Sequence, residues 1–235
     1  MPALRPAITN NRLLAALPDK DRGRVLGHCD QVELEAGAIL HEAGASQSHI
    51  YFPTGGFVSL VTPINPQSGL EVALVGNEGM VGIAAVLGVS VSPLRHLVHG
   101  AGGALRLPVA SFRSALELSP ALRHRLNLYV YVKIHQMAQT AACTRFHLVE
   151  ERLARLLLMA HDRSPSNECH ATHEFLASML GVRRAGITNA ATSLQKLGLI
   201  RYSRGNITIL NRRGLENRSC GCYRAAKKLY DSVLN

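Results

Sequence analysis

The stretch ATHEFLASMLGVRRAGITNAATSLQKLGL, residues 171–199, decides how the chain is read. Thr172 is placed to cap a helix, because its hydroxyl can accept from a free backbone N–H of the first turn. Phe175, Leu176, Met179 and Leu180 follow at helical spacing and form one apolar face. Gly181 ends that helix, since glycine turns through positive φ without steric cost. Val182 is small and apolar, fit for the inside of a tight turn. A second helix starts at Arg183 or Arg184, with Ile187, Ala190, Ala191 and Leu194 recurring at i, i+3, i+4 and i+7. That leaves Arg183, Arg184, Ala185, Thr188, Asn189 and Thr192 facing outward, most of them short or guanidinium-bearing and none acidic. The pattern is a helix–turn–helix whose second helix, about 183–195, would offer its N-terminal residues to a major groove. Two helices that merely pack on each other would also fit the bare hairpin.

The flanks favour a polyanion partner. A strand pair follows at once: Leu199 to Tyr202, the turn Ser203-Arg204-Gly205-Asn206, then Ile207 to Leu210, the outline of a wing. Charge is unevenly placed along a chain of net charge +10. Residues 145–235 hold 15 Lys and Arg against 7 Asp and Glu, whereas residues 1–144 hold 11 against 9. A basic C-terminal part joined to a nearly neutral N-terminal part points to nucleic acid as the partner of the former only.

At 235 residues, one large or two modest domains are expected, and 47% hydrophobic residues are ample for a core. No apolar run approaches the ~18 residues of a membrane span. The N-terminal apolar stretch is too short for a signal peptide, so a cytoplasmic protein is expected. Cys29, Cys143, Cys169, Cys220 and Cys222 are scattered and odd in number, which argues against a secreted disulfide framework.

Taken in order, Asn11 to Leu17 reads as a short helix stopped by Pro18, and Asp19 to Leu26 as another. From Cys29 the texture changes to short apolar or alternating runs: 31–34, 38–41, 49–52, 57–61, 70–75 and 96–99, punctuated by glycines and by Pro53, Pro63 and Pro66. Such spacing predicts an antiparallel roll. Gly79 to Gly88 is a short helical turn within it. Strands end near Leu107, and Pro108 to Phe112 opens a helix. Ser119-Pro120 starts a long helix to about Thr144, a cap residue followed by proline at the first position. Leu126, Val130, Ile134, Met137 and Ala141 form its apolar stripe. A helix apolar on more than one side needs two partners, and a second protomer is the expected one. Thr144 to His147 is the expected hinge, Val149 to Ala160 a helix, His161 to His170 a polar loop, and about Leu215 to Leu234 one last helix.

This order resembles the Crp/Fnr family of transcription regulators over nearly the whole chain. Residues 146–157, FHLVEERLARLL, are similar to the family's hinge and following helix, and Thr172 to Leu199 to its DNA-binding signature. The resemblance implies an α+β fold. Residues 1–118 would form a cyclic-nucleotide-binding-like antiparallel β-roll, 119–146 a long dimerisation helix and hinge, and 147–235 a winged helix–turn–helix. It implies a homodimer on double-stranded DNA, with RNA polymerase as a partner if the protein activates. The expected DNA-binding residues are Thr172, His173, Arg183, Arg184, Ala185, Thr188, Asn189, Lys196, Arg201 and Arg204. Thr172 stands where the family contacts backbone phosphate, and Arg184 where a family arginine reads guanine. Ala185 stands where the family often has Glu, and Asn189 where it often has Arg. Lys196, Arg201, Arg204, Arg212 and Arg213 would mainly neutralise phosphate.

The roll departs from the family where ligand chemistry lives. The family's phosphate cassette carries Gly-Glu and an Arg roughly ten residues on. Here Gly82 is followed by Ile83, and the ungapped Arg position is Leu94, with Arg95 one step away. A one-residue slip in a strand reverses the face a side chain takes. Tight cyclic AMP binding is therefore not expected, and no other cofactor is assigned. Glu78, before Gly79, could stand in for the missing carboxylate, but is read as a solvated loop residue. Heme-binding relatives use a histidine; His96 and His99 sit too close in one strand to share a face, and heme or another effector stays open. The competing reading is a small-molecule or heme-sensing module whose helix–turn–helix is mainly structural. One cysteine before residue 143 does not suffice for the iron–sulfur cluster of oxygen-sensing relatives. Cys220-Gly221-Cys222 is a close pair without further nearby ligands, and on a helix its two side chains diverge, so no metal site is expected. No nucleophile–base motif, Walker loop or HExxH appears, and no enzyme is expected.

Overall fold

The computed structural model describes residues 10–65, 68–164 and 166–234. Pro66, expected to break a strand, lies outside the described residues, as do residues 1–9. Helices α1 (Arg12–Ala15) and α2 (Asp19–Leu26) lead into β1 (Asp30–Leu34), β2 (Ile39–His41), β3 (His49–Pro53), β4 (Phe57–Asn65), β5 (Ser68–Val75), β6 (Arg95–Gly100) and β7 (Gly102–Pro108). The strands form two sheets, ordered β1-β7-β3 and β2-β6-β4-β5. A 3₁₀ turn, Ile83–Leu87, stands where Gly79 to Gly88 was expected to curl. Helices α3 (Val109–Leu118) and α4 (Pro120–Phe146) follow. Beyond them come α5 (Val149–His161), β8 (Glu168–His170), α6 (His173–Leu180), α7 (Arg184–Lys196), β9 (Ile200–Ser203), β10 (Asn206–Ile209), α8 (Arg212–Arg218) and α9 (Cys222–Leu234).

The described residues divide into two compact units. One comprises residues 10–60, Leu74–Lys133 and Leu234, the other Val61–Ala73 and Ile134–Val233, so α4 contributes to both.

In the first unit β7 is the central strand, antiparallel to β1 on one side and β3 on the other. The sequence concealed it because it opens on two glycines, which carry no strand signal. Those glycines have a steric reason. A Cβ on Gly102 would lie 2.5 Å from the Gly55 carbonyl carbon, and one on Gly56 2.2 Å from the Gly100 carbonyl oxygen. The two turns press backbone against backbone, and Gly56 also needs φ 68°. Asn11 is fully buried and fastens α1: its amide donates to the carbonyls of Pro53 and Gly79, both at 2.9 Å, and its oxygen accepts from Leu14 N–H. Ser119 caps α4 as its sequence suggests, accepting from Leu122 N–H at 3.0 Å.

Several basic side chains in this unit are kept from water. Lys133 Nζ donates to the Leu74 carbonyl at 2.5 Å and lies 3.9 Å from Glu78. Glu78 also accepts from Gly76 N–H at 3.1 Å. Glu78 is therefore not the solvated loop residue expected from sequence: it is buried, where the Lys133 ammonium and a backbone N–H offset its desolvation. His96 sits on β6 with its ring 5.1 Å from that of His41. Burial, reinforced by His41, pushes His96 down to about 3, and burial alone holds His99 at about 4.

An unfolded histidine titrates near ~6.5. Below that pH the unfolded chain takes up protons that the folded unit refuses, so stability is complete above it and declines toward about 3. His96→Gln should lessen that acid loss by up to ~1.4 kcal/mol per pH unit. Urea unfolding at several pH values between about 5 and about 7 reads this, and an identical decline in variant and wild type would contradict it.

The second unit is built around α5, whose residues Arg152 to Ala160 are all buried. The Glu151 carboxylate accepts from Leu148 N–H at 3.0 Å and closes its N-terminus. Three features differ from the sequence expectation. The polar loop 161–170 ends in β8, which pairs with β10 and makes the wing three-stranded, ordered β8-β10-β9. The single last helix is two, because the chain leaves α8 at Ser219 and enters α9 at Cys222. Arg212, expected on phosphate, is held inside the domain by Asp162 at 2.5 Å, Glu216 at 3.0 Å and the Tyr223 hydroxyl at 2.7 Å.

Candidate nucleic-acid interface

Helix α6 forms as its sequence dictates. Thr172 Oγ1 accepts from Phe175 N–H at 3.1 Å. Gly181 takes φ 62°, ψ 43°, and the turn closes with Val182 N–H donating to the Ala177 carbonyl at 3.0 Å. Ile187, Ala190, Ala191 and Leu194 then anchor α7, all 4% exposed or less. Fixing that face fixes the opposite one. Arg183, Arg184, Ala185, Thr188, Asn189, Thr192 and Lys196 are all exposed. Arg183 precedes α7 and makes no side-chain cap; Gly186 N–H turns back to the Arg183 carbonyl at 2.8 Å, so the Arg184 and Ala185 N–H groups are the uncapped ones, beside two guanidiniums.

Thr188 is held rather than free. It shares a 3.1 Å hydrogen bond with His173 Nδ1, and its hydroxyl lies 3.1 Å from the Arg184 carbonyl. His173 in turn stacks on Tyr202, centroids 4.3 Å apart and planes 17° from parallel. Burial first, and the nearby Arg184 second, lower the His173 pKa, which favours the neutral imidazole. So the structure places His173 half-buried as a brace between wing and recognition helix, where the sequence had only grouped it with the contact residues. Tyr202 and Gln195 were missed altogether. Tyr202 donates its hydroxyl to the Ala171 carbonyl at 3.2 Å, and its N–H bonds Gln195 Oε1 at 2.6 Å. A lone tyrosine in a wing strand carries no sequence mark of that bracing.

The wing tip is a two-residue turn with positive φ at both central positions, Arg204 at 50° and Gly205 at 84°. That geometry follows the right-handed twist of a hairpin. Arg204 is the one non-glycine at positive φ among the described residues. An arginine there costs roughly 1–2 kcal/mol, which asparagine or glycine would largely avoid. The chain thus carries a cation at its wing tip against local preference. Thr172, His173, Glu174, Arg184, Tyr202, Arg204 and Gly205 line one open groove. Arg183, Arg184, Lys196, Arg201 and Arg204 are exposed, and none is in an ion pair among the described residues.

Residues 151–218 match the family model of the Crp-like helix-turn-helix domain. This part of the chain is a Crp-like helix–turn–helix domain. No curated protein matches the chain in sequence. Solved structures match its fold. A CRP/FNR-family transcriptional regulator from Thermus thermophilus is 20% identical, with TM-score 0.65, over 81% of this chain and 98% of its own. FixK2 from Bradyrhizobium japonicum is 13% identical, with TM-score 0.68, over 82% and 98%. The c-di-GMP-responsive global regulator CLP of Xanthomonas campestris is 15% identical, with TM-score 0.65, over 82% and 99%. The chain therefore has the Crp/Fnr fold, a cyclic-nucleotide-binding-like roll followed by the Crp-like domain.

Within the roll, the stretch read as departing from the family's phosphate cassette is a turn into the 3₁₀ segment. Gly82 turns at φ 104° and Ile83 begins the 3₁₀ turn, so an alkyl group stands where the resemblance calls for a carboxylate. Arg95 donates to Glu42 at 2.8 Å and is neutralised there. Along α4, Leu126 and Val130 are buried, Met137 is half-buried, and Ala141 is exposed with Ile134, which is 61% exposed. Tyr131, 53% exposed, extends the exposed part of the stripe. Among the described residues no helix is long and apolar enough to cross a membrane.

Proposed function

We propose that the protein is a homodimeric, sequence-specific DNA-binding transcription regulator. One observation carries this reading: a Crp-like helix–turn–helix whose α7 exposes Arg183, Arg184, Ala185, Thr188 and Asn189 at an N-terminus without a side-chain cap. In each protomer α7 would enter a major groove, and a two-fold axis would place the half-sites about one helical turn, ~34 Å, apart. Arg184 is the candidate for a bidentate contact to guanine. Asn189 can pair with adenine, and Ala185 or the Thr188 methyl can meet a thymine methyl. Ala185 cannot accept from a cytosine amino group, so the operator should differ from the family's best-known half-site. Lys196, Arg201 and Arg204 supply phosphate contacts, each worth a log–log salt slope of about −0.9. Thr172 adds a neutral hydrogen bond to phosphate. Binding-site selection on random duplex DNA tests the reading, since recovery of no motif would refute it.

The signal for regulation is not cyclic AMP in this reading. Ile83 accepts nothing from a ribose hydroxyl, and Arg95 already has Glu42. Calorimetry with cyclic AMP should show no micromolar binding, and a clear saturable heat there would overturn this part. Without such a ligand, control lies in the population of dimers competent to place both α7 helices at once, or in the amount of protein.

A further inference from the structure

The break between α8 and α9 has a chemical consequence. Cys143 lies in the last turn of α4 and His147 directly follows the helix, its N–H donating to the Cys143 carbonyl at 3.2 Å, which keeps the two residues one turn apart. Cys220 precedes α9 and Cys222 is its first residue, so the two thiols are not bound to helical directions and can converge. The four ligand atoms of Cys143, His147, Cys220 and Cys222 all lie within 4.8 Å of one another. Cys143 and Cys220 are 3.5 Å apart at sulfur, and Cys222 Sγ is 3.6 Å from His147 Nδ1. The three cysteines are buried.

From this arrangement the geometry points to a structural zinc site with Cys143, Cys220, Cys222 and His147 Nδ1 as its four ligands. Zn–S bonds of ~2.3 Å place tetrahedral sulfurs ~3.8 Å apart, so the observed spacings need only small adjustments. An iron–sulfur cluster keeps its own sulfides between the irons and requires a wider cage. A disulfide requires ~2.05 Å between sulfurs, well inside the 3.5 Å found for the nearest pair.

Two independent features of the surroundings suit a bound zinc. The Gln139 amide donates to Cys222 Sγ at 3.3 Å, the kind of outer contact that orients a thiolate ligand. Arg152 and Arg155 are 6% and 7% exposed, and neither is in an ion pair among the described residues. Arg155 Nε is buried without a hydrogen-bond partner. With all three thiols protonated, these guanidiniums would lack a counter-ion. Zinc displaces three thiol protons, and the resulting Zn(Cys)₃His centre carries a net charge of −1 beside both arginines. The ion would tie the end of α4 to the start of α9 at the junction with α5.

Metal analysis of the full chain, purified without a metal-affinity tag and kept reduced, tests the site. One zinc per chain is expected, and cobalt in its place should give the visible bands and thiolate charge-transfer absorption of a tetrahedral site. Cys143→Ser, Cys220→Ser and Cys222→Ser should each lose stoichiometric metal, while Cys29→Ser and Cys169→Ser keep it. If a serine variant fails to fold, the cobalt spectrum of the wild type still decides. Absence of that spectrum in the folded, reduced protein would overturn the proposal. So would iron with sulfide in place of zinc, or full zinc retention by the Cys143 and Cys220 variants.

Discussion

Ile134→Glu is expected to separate the protomers and lower affinity for a full operator by ~10²–10⁴-fold, because two linked half-site contacts become independent events. Ile134 is 61% exposed and Tyr131 53% exposed on α4, with Ala138, Ala141 and Ala142 also exposed along the same stretch. Exposed apolar side chains at helical spacing favour burial against another face, and a second α4 supplies a self-complementary one. In that dimer two glutamates would lose water at the seam, where each desolvated charge costs several kcal/mol. In the single chain the substitution only replaces an exposed residue, so the fold should persist. Sedimentation should show a monomer with an unchanged far-ultraviolet spectrum. Affinity for an isolated half-site should stay within a small factor of wild type. A variant that stays dimeric and binds the full site normally would place the interface elsewhere.

Arg184→Ala should cost roughly 1–3 kcal/mol of binding per protomer and relax the preference at a single base of each half-site. Arg184 is exposed in the first turn of α7, beside Thr188, which His173 and the helix backbone hold in place. The comparison is Arg201→Ala, also exposed but on the wing strand β9. It should weaken all sequences alike and lower the salt slope by about one per protomer. Fluorescence anisotropy on the selected site and its single-base variants, at several salt concentrations, separates the two. An equal loss on every sequence for Arg184→Ala would make that residue a phosphate clamp.

The helix–turn–helix was legible because each signal is local. Thr172 accepts from the backbone three residues on, Gly181 turns where only glycine turns freely, and Ile187 to Leu194 keep a 3.6-residue period. The long helix was equally plain from Ser119-Pro120. What stayed hidden depends on distant partners. Strand β7 begins on Gly102-Gly103, whose purpose is to admit the Gly55-Gly56 backbone from another turn. Glu78 looks solvated until Lys133 appears from α4. That His173 stacks on Tyr202 depends on a wing strand farther along the chain and leaves no local mark. The cysteine cluster joins residues 143 and 220, and the expected continuous helix pointed Cys220 and Cys222 apart. Cys143 and His147 at i and i+4 were the available hint, since that spacing puts two ligands on one face.

Selection of duplex DNA from a random pool by the intact protein, followed by sequencing, bears most directly on whether paired α7 helices read base edges. The expected product is a two-fold symmetric motif with half-site centres one helical turn, ~10 bp, apart or a whole multiple of that. Arg184→Ala should lose the preference at one position in each half. Enrichment of no motif, or of an asymmetric single site unchanged by Arg184→Ala, would contradict it.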